Sequence, residues 1–147
     1  MSTNKLARSL NANKLAFCPC ESGKTYSICC ELYHLGFNNQ IFAPNAEALM
    51  RSRYSALVLC LENYVLQTWH PDTRPSELNL SNGNDVSKWL GLAVKQYKLL
   101  TNSTATVEFI ARYKMANNMT GRAEQHHEIS QFIKMGYQWF YVDGQII

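Results

Sequence analysis

The chain predicts an α+β domain with a small metal-stapled segment in front of it. Helical periodicity occupies the middle of the chain, and strict alternation of apolar and polar residues fills the last third. Four of the five cysteines fall within Cys18-Pro19-Cys20-Glu21-Ser22-Gly23-Lys24-Thr25-Tyr26-Ser27-Ile28-Cys29-Cys30. Helices that precede an antiparallel sheet pack on one of its faces. At 147 residues there is room for one ordinary core and a knuckle, not for two full domains.

The cysteine pairs come first. Ahead of them stand Lys5, Arg8 and Lys14 and only the apolar triplet Leu15-Ala16-Phe17, so the hydrophobic region of a secretory signal is missing and a cytoplasmic location is expected. Paired thiols in a reducing compartment bind metal more often than they oxidise. Cys18, Cys20, Cys29 and Cys30 supply a complete tetrahedral set for Zn²⁺, a structural arrangement with no open position, and tetrahedral sulfur also takes iron. Four thiolates on a divalent cation leave a charge of about −2, which nearby donors must offset. Lys24 and the backbone at Ser22-Gly23 are placed to do so, and Gly23 suits the turn between the ligand pairs.

Gly36-Phe37-Asn38-Asn39 reads as the way out of the knuckle. Asn45 is the expected N-cap of a helix with Glu47 in its first turn. Leu49, Met50, Tyr54, Leu57, Val58, Leu61, Val65 and Trp69 then recur at spacings of three and four, one helical stripe ended by His70-Pro71. Cys60 sits beside that stripe as a small buried or half-buried residue. Asp72 to Asn84 is loop or short helix. Asp85 is a candidate cap for a short helix through Trp89, with a strand from Gly91 to Leu100, although Val86, Trp89, Leu90, Ala93 and Tyr97 also fit one longer helix. Thr104 to Met115 alternates as a half-buried antiparallel strand, with Val107, Phe109, Ala111 and Tyr113 on one face. Asn117 to Gly121 is turn sequence, Arg122 to Lys134 a return strand, and Met135-Gly136 a tight turn into Tyr137 to Val142. That turn pairs Phe132 with Trp139, Ser130 with Tyr141 and Glu128 with Asp143, all on one face. If Glu128 and Asp143 are shielded together, one carboxyl pKa rises.

The net charge of +3 belongs to Lys5, Arg8 and Lys14, since the remaining eleven basic side chains balance eleven acidic ones. A nucleic-acid surface usually needs more than this. No apolar run reaches the roughly 18 residues of a membrane span, as the longest, Ala56 to Leu61, stops at Glu62. Walker, dinucleotide, HExxH and GxSxG signatures are all missing from the sequence.

The run from Cys18 to Tyr26 with Cys29-Cys30 resembles the SEC-C metal-binding motif at the C-terminus of the bacterial SecA translocation ATPase. Ala43-Pro44-Asn45-Ala46-Glu47-Ala48-Leu49-Met50-Arg51-Ser52-Arg53-Tyr54, Thr68-Trp69-His70-Pro71, Trp89-Leu90-Gly91-Leu92, Val107 to Tyr113, His127-Glu128 and Tyr141-Val142-Asp143-Gly144 resemble the uncharacterised bacterial YchJ family. Residues 1–16, rich in Asn, Ser and Lys, read as a flexible basic arm, and the resemblance implies a SEC-C knuckle over 17–36 and a nuclear transport factor 2-like domain over 40–147, in which helices close over a curved sheet to leave a pocket. Glu21 stands where the SEC-C pattern usually has Gly. Residues 31–40 lack the lysines of the SecA version, so its SecB partner is not implied.

The pocket expected from these readings is lined by Arg51, Tyr54, Trp69, His70, Glu108, Arg112, His127, Glu128, Trp139, Tyr141 and Asp143. His127 and Glu128 are adjacent on a strand and point to opposite faces, so they do not meet directly. The leading functional expectation is a zinc-binding cytoplasmic adaptor, its knuckle facing a protein partner and its cone holding a ligand or second partner. The competing expectation is a small hydrolytic or isomerising enzyme with His127 or Glu128 as base. Ribosome or nucleic-acid contact through Lys5, Arg8, Lys14 and Lys24 is the third.

Overall fold

The computed structural model describes residues 17–80, 86–116 and 121–147. The arm expected over 1–16, the Asp85 cap and residues 117–120 of the expected turn lie outside the described residues. The knuckle opens with a hairpin closed by a Phe17–Thr25 bridge and by Cys18 N–H donating to Lys24 O. A 3-10 turn, Tyr26–Ile28, leads into helix α1, Cys30–Gly36. The expected linker is the end of α1 followed by a second 3-10 turn, Phe37–Asn39.

Helix α2, Ala46–Val58, starts where its cap predicts, with Asn45 Oδ1 accepting from Ala48 N–H at 2.8 Å. The single long helix expected through Trp69 is two helices, α2 and α3, Glu62–Gln67. Between them Leu61 N–H bonds Ala56 O and Cys60 N–H bonds Leu57 O, a Schellman end with Cys60 at φ 58° in the left-handed position that glycine normally fills. The apolar spacing persists across the break because Tyr64 and Val65 of α3 pack with Ala56 of α2. Cys60 itself is exposed rather than buried. Glu62 holds the loop beyond, accepting from Leu78 N–H and Leu80 N–H, each at 2.9 Å.

The four strands are β1 (Val86–Thr101), β2 (Thr104–Met115), β3 (Glu124–Met135) and β4 (Gln138–Ile146), an antiparallel meander in chain order. No helix interrupts β1 at Trp89. Register shifts after Trp89, Val94 and Leu99 each insert a residue, so the core-facing Trp89, Leu92, Val94 and Tyr97 are spaced three, two and three apart. That bulged spacing imitates helical periodicity and bends the strand. The β3–β4 turn is Gly136-Tyr137, since Met135 pairs with Gln138, and Phe132 pairs with Tyr141 rather than Trp139. A further bulge between Gln131 and Phe132 places Ser130 opposite Gly144 and Glu128 opposite Ile146. Asp143 pairs with the exposed Gln131 and leaves the inner face, so Glu128 and Asp143 do not meet. The outer edge of β4 is closed by the segment after α3: Tyr141 N–H donates to Thr68 O at 2.9 Å and His70 N–H to Tyr141 O at 2.7 Å.

Helix α2 lies across the inner face of the sheet, and Leu49, Met50 and Tyr54 share one core with Leu92, Val107, Phe109, Phe132 and Trp139. Replacing Cys60 with Gly removes the left-handed strain and is expected to stabilise the fold by about 0.5–1 kcal/mol. A thermal melt should show a rise of about 2–4 °C for such a change; an unchanged or lower midpoint contradicts the Schellman reading.

Candidate metal centre and cavity

The hairpin supplies Cys18 and Cys20, and the entry to α1 supplies Cys29 and Cys30. Their four sulfurs lie within 4.8 Å of one another. Cys20 Sγ is 3.7 Å from Cys29 Sγ, which is 4.0 Å from Cys30 Sγ. A tetrahedral ion with bonds of about 2.3 Å to sulfur spaces its ligands about 3.8 Å apart, so the donor set fits a thiophilic metal ion. Cys18, Cys20 and Cys30 are buried. Hydrogen bonds from Cys20 and Cys30 hold the Cys18 thiol well below the usual range, and the same sharing with Cys18 pushes Cys20 and Cys30 up. Removing the protons of Cys20 and Cys30 therefore calls for a cation in their place.

The surrounding donors differ from those expected. Lys24 is exposed and its side chain makes no hydrogen bond or ion pair among the described residues. Ser22 Oγ instead lies 3.2 Å from Cys29 Sγ, and Ser55 Oγ, fully buried on α2, lies 3.3 Å from Cys30 Sγ and 3.4 Å from Cys18 Sγ. Arg51 does not line a pocket: its Nη1 donates to Cys20 O at 2.8 Å and its Nε to Glu47 at 3.1 Å, which brings a cation to the sulfur cluster. Glu21 adopts φ 62°, where glycine is the easier residue, and its carboxylate lies against Gly91 of β1, where a Cβ would come within 2.7 Å of it.

His34 bolts the knuckle to α2. Its Nε2–H donates to Ser52 O at 2.8 Å and its Nδ1 pairs with Tyr26 OH at 2.7 Å. Burial lowers its pKa from 6.5.

On the other side of α2 the sheet and helices enclose a cavity of about 500 Å³. Tyr54, Trp69, Glu128 and Tyr141 line it, as do Arg53, Trp89, Phe109, Tyr113, His126, Ser130 and Phe132. The other expected residues lie elsewhere. Glu108 and His127 pair at 2.7 Å across β2 and β3 on the outer face, and Arg112 and Asp143 are exposed. His70 Nδ1 accepts from Asp72 N–H at 3.0 Å in the loop, and Trp139 is buried in the main core.

Glu128 is the polar centre of the cavity wall. Its carboxylate accepts from His126 Nε2 at 2.7 Å, Ser130 Oγ at 2.6 Å and Tyr141 OH at 3.1 Å. The histidine partner is thus His126, two residues away on the same face, and not His127. Burial, reinforced by Glu128, raises the Tyr141 pKa, so its phenol remains a donor. Arg53 faces this group from α2, its guanidinium 5.1 Å from the Trp69 ring centre and 4.6 Å from that of Tyr141. Burial lowers its pKa to about 10, which leaves it charged at neutral pH. Arg53 and Ser55 carried no signal as single letters; their position on α2 was the only clue available.

A cysteine knuckle docked on a helix-covered four-stranded sheet defines a SEC-C motif joined to a nuclear transport factor 2-like domain. The SEC-C motif matches residues 18–32, and the family described as "YchJ, middle NTF2-like domain" matches residues 45–144; the chain belongs to this family. A UPF0225 protein of Bordetella pertussis is 51% identical, covering 92% of this chain and 97% of the relative. One from Chromobacterium violaceum is 46% identical over 89% and 93%. Among solved structures, a SEC-C motif containing protein from Rhodopseudomonas palustris superposes with a TM-score of 0.70 at 32% identity, covering 88% of this chain and 98% of that one. One from Psychrobacter arcticus gives 0.67 at 31%, covering 91% and 85%. No described helix is long and apolar enough to cross a membrane.

Two predictions follow from this geometry. Because the His34 pKa is lowered, its contribution to stability is complete above pH 6.5 and is lost as pH falls below that value. Gln can make both His34 hydrogen bonds without titrating, so urea unfolding between pH 8 and pH 5 should be less pH-dependent in His34→Gln than in wild type; equal slopes contradict the assignment. A Cβ at Gly144 would run into the Glu128 carboxylate. Gly144→Ala is therefore expected to lose about 1–3 kcal/mol by overpacking, as read from denaturant midpoints; an unchanged midpoint contradicts the contact.

Proposed function

We propose that this protein is a zinc-binding cytoplasmic adaptor whose knuckle presents a fixed surface to a protein partner and whose cone cavity holds a ligand. One observation carries the reading: the closed sulfur cluster fixes a knuckle that leaves Ile28, Leu32 and Leu35 exposed at 61%, 47% and 74%. Leu32 and Leu35, three apart on α1, share a helix face, and Ile28 precedes them by one turn. Exposed apolar groups on so small and rigid a scaffold suit docking. A complete thiolate set leaves no position for a substrate, so the metal is structural. Zinc is favoured over iron because the four thiolates suit a redox-inert ion of fixed geometry.

Elemental analysis of protein from its native host should find one zinc per chain. Cys29→Ser with Cys30→Ser should lose metal and partner capture together, and Leu32→Asp with Leu35→Asp should keep the metal yet lose capture. Capture by the metal-free variant overturns the adaptor role.

A second reading rests on the His126–Glu128 pair at 2.7 Å beside the cavity. Glu128 holds the His126 Nε2–H and leaves Nδ1 as a base, the arrangement a small hydrolytic or isomerising enzyme requires. In that case Glu128→Gln abolishes turnover while metal content stays intact.

A further inference from the structure

The cavity contains a cation with no carboxylate in ion-pair contact, the Glu128 charge reaching it only at longer range. Arg53 Nη1 is committed to Val65 O at 2.7 Å and Thr68 Oγ1 at 2.8 Å. Its Nε and Nη2 have no acceptor among the described residues, and no carboxylate oxygen lies within 4.0 Å of it. Glu128, the carboxylate sharing the cavity, is already engaged by three donors of its own. The residue is only 9% exposed and lines the cavity. The unspent edge, Nε–H with Nη2–H, is the side of a guanidinium that presents two parallel donors, the geometry that matches two carboxylate oxygens. A buried charge without an ion pair is costly, and a ligand carboxylate would relieve that cost.

The rest of the wall defines the remainder of the ligand. Met50, Leu57, Trp89, Phe109, Tyr113 and Phe132 surround the space with apolar and aromatic surface, and about 500 Å³ is within the range of small-molecule sites. We infer that the cone binds a compact, largely apolar monocarboxylate, with the Nε/Nη2 edge of Arg53 holding its carboxylate and the aromatic wall holding its body. Phosphorylated or polyanionic metabolites do not fit, because a single guanidinium edge faces a largely apolar lining that also carries the Glu128 carboxylate. The inference deepens the ligand half of the adaptor reading and takes nothing from the knuckle, so losing one leaves the other standing.

Isothermal titration calorimetry on the metal-loaded full chain, with 2-naphthylacetate and its uncharged amide as probes, tests it. The acid should bind one site per chain and at least about tenfold more tightly than the amide, the difference expected of a charge-assisted fork. Arg53→Lys keeps the charge but not the fork and should erase most of that preference. Ala111→Leu, which fills the cavity without touching Arg53, should weaken acid and amide alike; Ala111 is buried at 3% on the cavity wall. If Arg53→Lys fails to fold by circular dichroism, the acid-to-amide ratio in wild type and the Ala111→Leu result decide. No saturable binding of the acid at millimolar concentration, equal binding of acid and amide, or unchanged affinity in Ala111→Leu overturns the proposal.

Discussion

The structure depends on the contact between the sulfur cluster and one side of α2. Four thiolates around a divalent ion would carry net negative charge, and a cluster buried this deeply needs donors aimed at it. Ser55 meets that need from α2, Arg51 ties α2 to the knuckle through Cys20 O, and Ser52 O receives the His34 ring that fixes the knuckle from behind. Cys18, Cys20 and Cys30 accordingly belong to the same buried cluster as Leu49, Met50, Tyr54 and Trp139. The knuckle is built into the core of the larger domain rather than tethered beside it.

Helical geometry then divides the work of α2. At about 100° per residue, Arg51, Ser52 and Ser55 fall on one side and Met50, Arg53, Tyr54 and Leu57 on the other. The first set faces the metal centre and the second lines the cavity. This explains why buried polar residues interrupt a helix that should be simply amphipathic: both of its sides are covered. It also makes the two sites mechanically continuous, since a rotation of α2 that tightens one must displace the other.

Much of the fold was legible where one physical rule acted alone. The Asn45 cap, the alternation of β2 and the gathering of Cys18, Cys20, Cys29 and Cys30 each depend on local chemistry, and each sits as expected. The misreadings arose where the chain breaks its own period, Gly91 of β1 apart, without a glycine or proline to announce it. Cys60 ends a helix in a conformation that the letter C does not signal, and the bulges of β1 spread its inward residues to near-helical spacing. The β4 bulge moved Asp143 off the inner face, which no pattern of single residues reveals. Of the eleven pocket candidates Tyr54, Trp69, Glu128 and Tyr141 line the cavity, and Asp143 does not because a shift of one residue in register exchanges the two faces of a strand.

That bulge also has a chemical effect. By adding a residue to β4 it removes the second carboxylate from the inner face and sets Gly144 against Glu128, so the Glu128 side chain has room and no like charge opposite it. Two carboxylates facing each other in an apolar space repel; Glu128 instead accepts from His126, Ser130 and Tyr141. Arg53, resting on the faces of Trp69 and Tyr141, is stabilised by their rings rather than by a salt bridge. The cavity therefore holds one satisfied anion and one cation with donors to spare, an asymmetry that a purely structural core would eliminate by direct pairing.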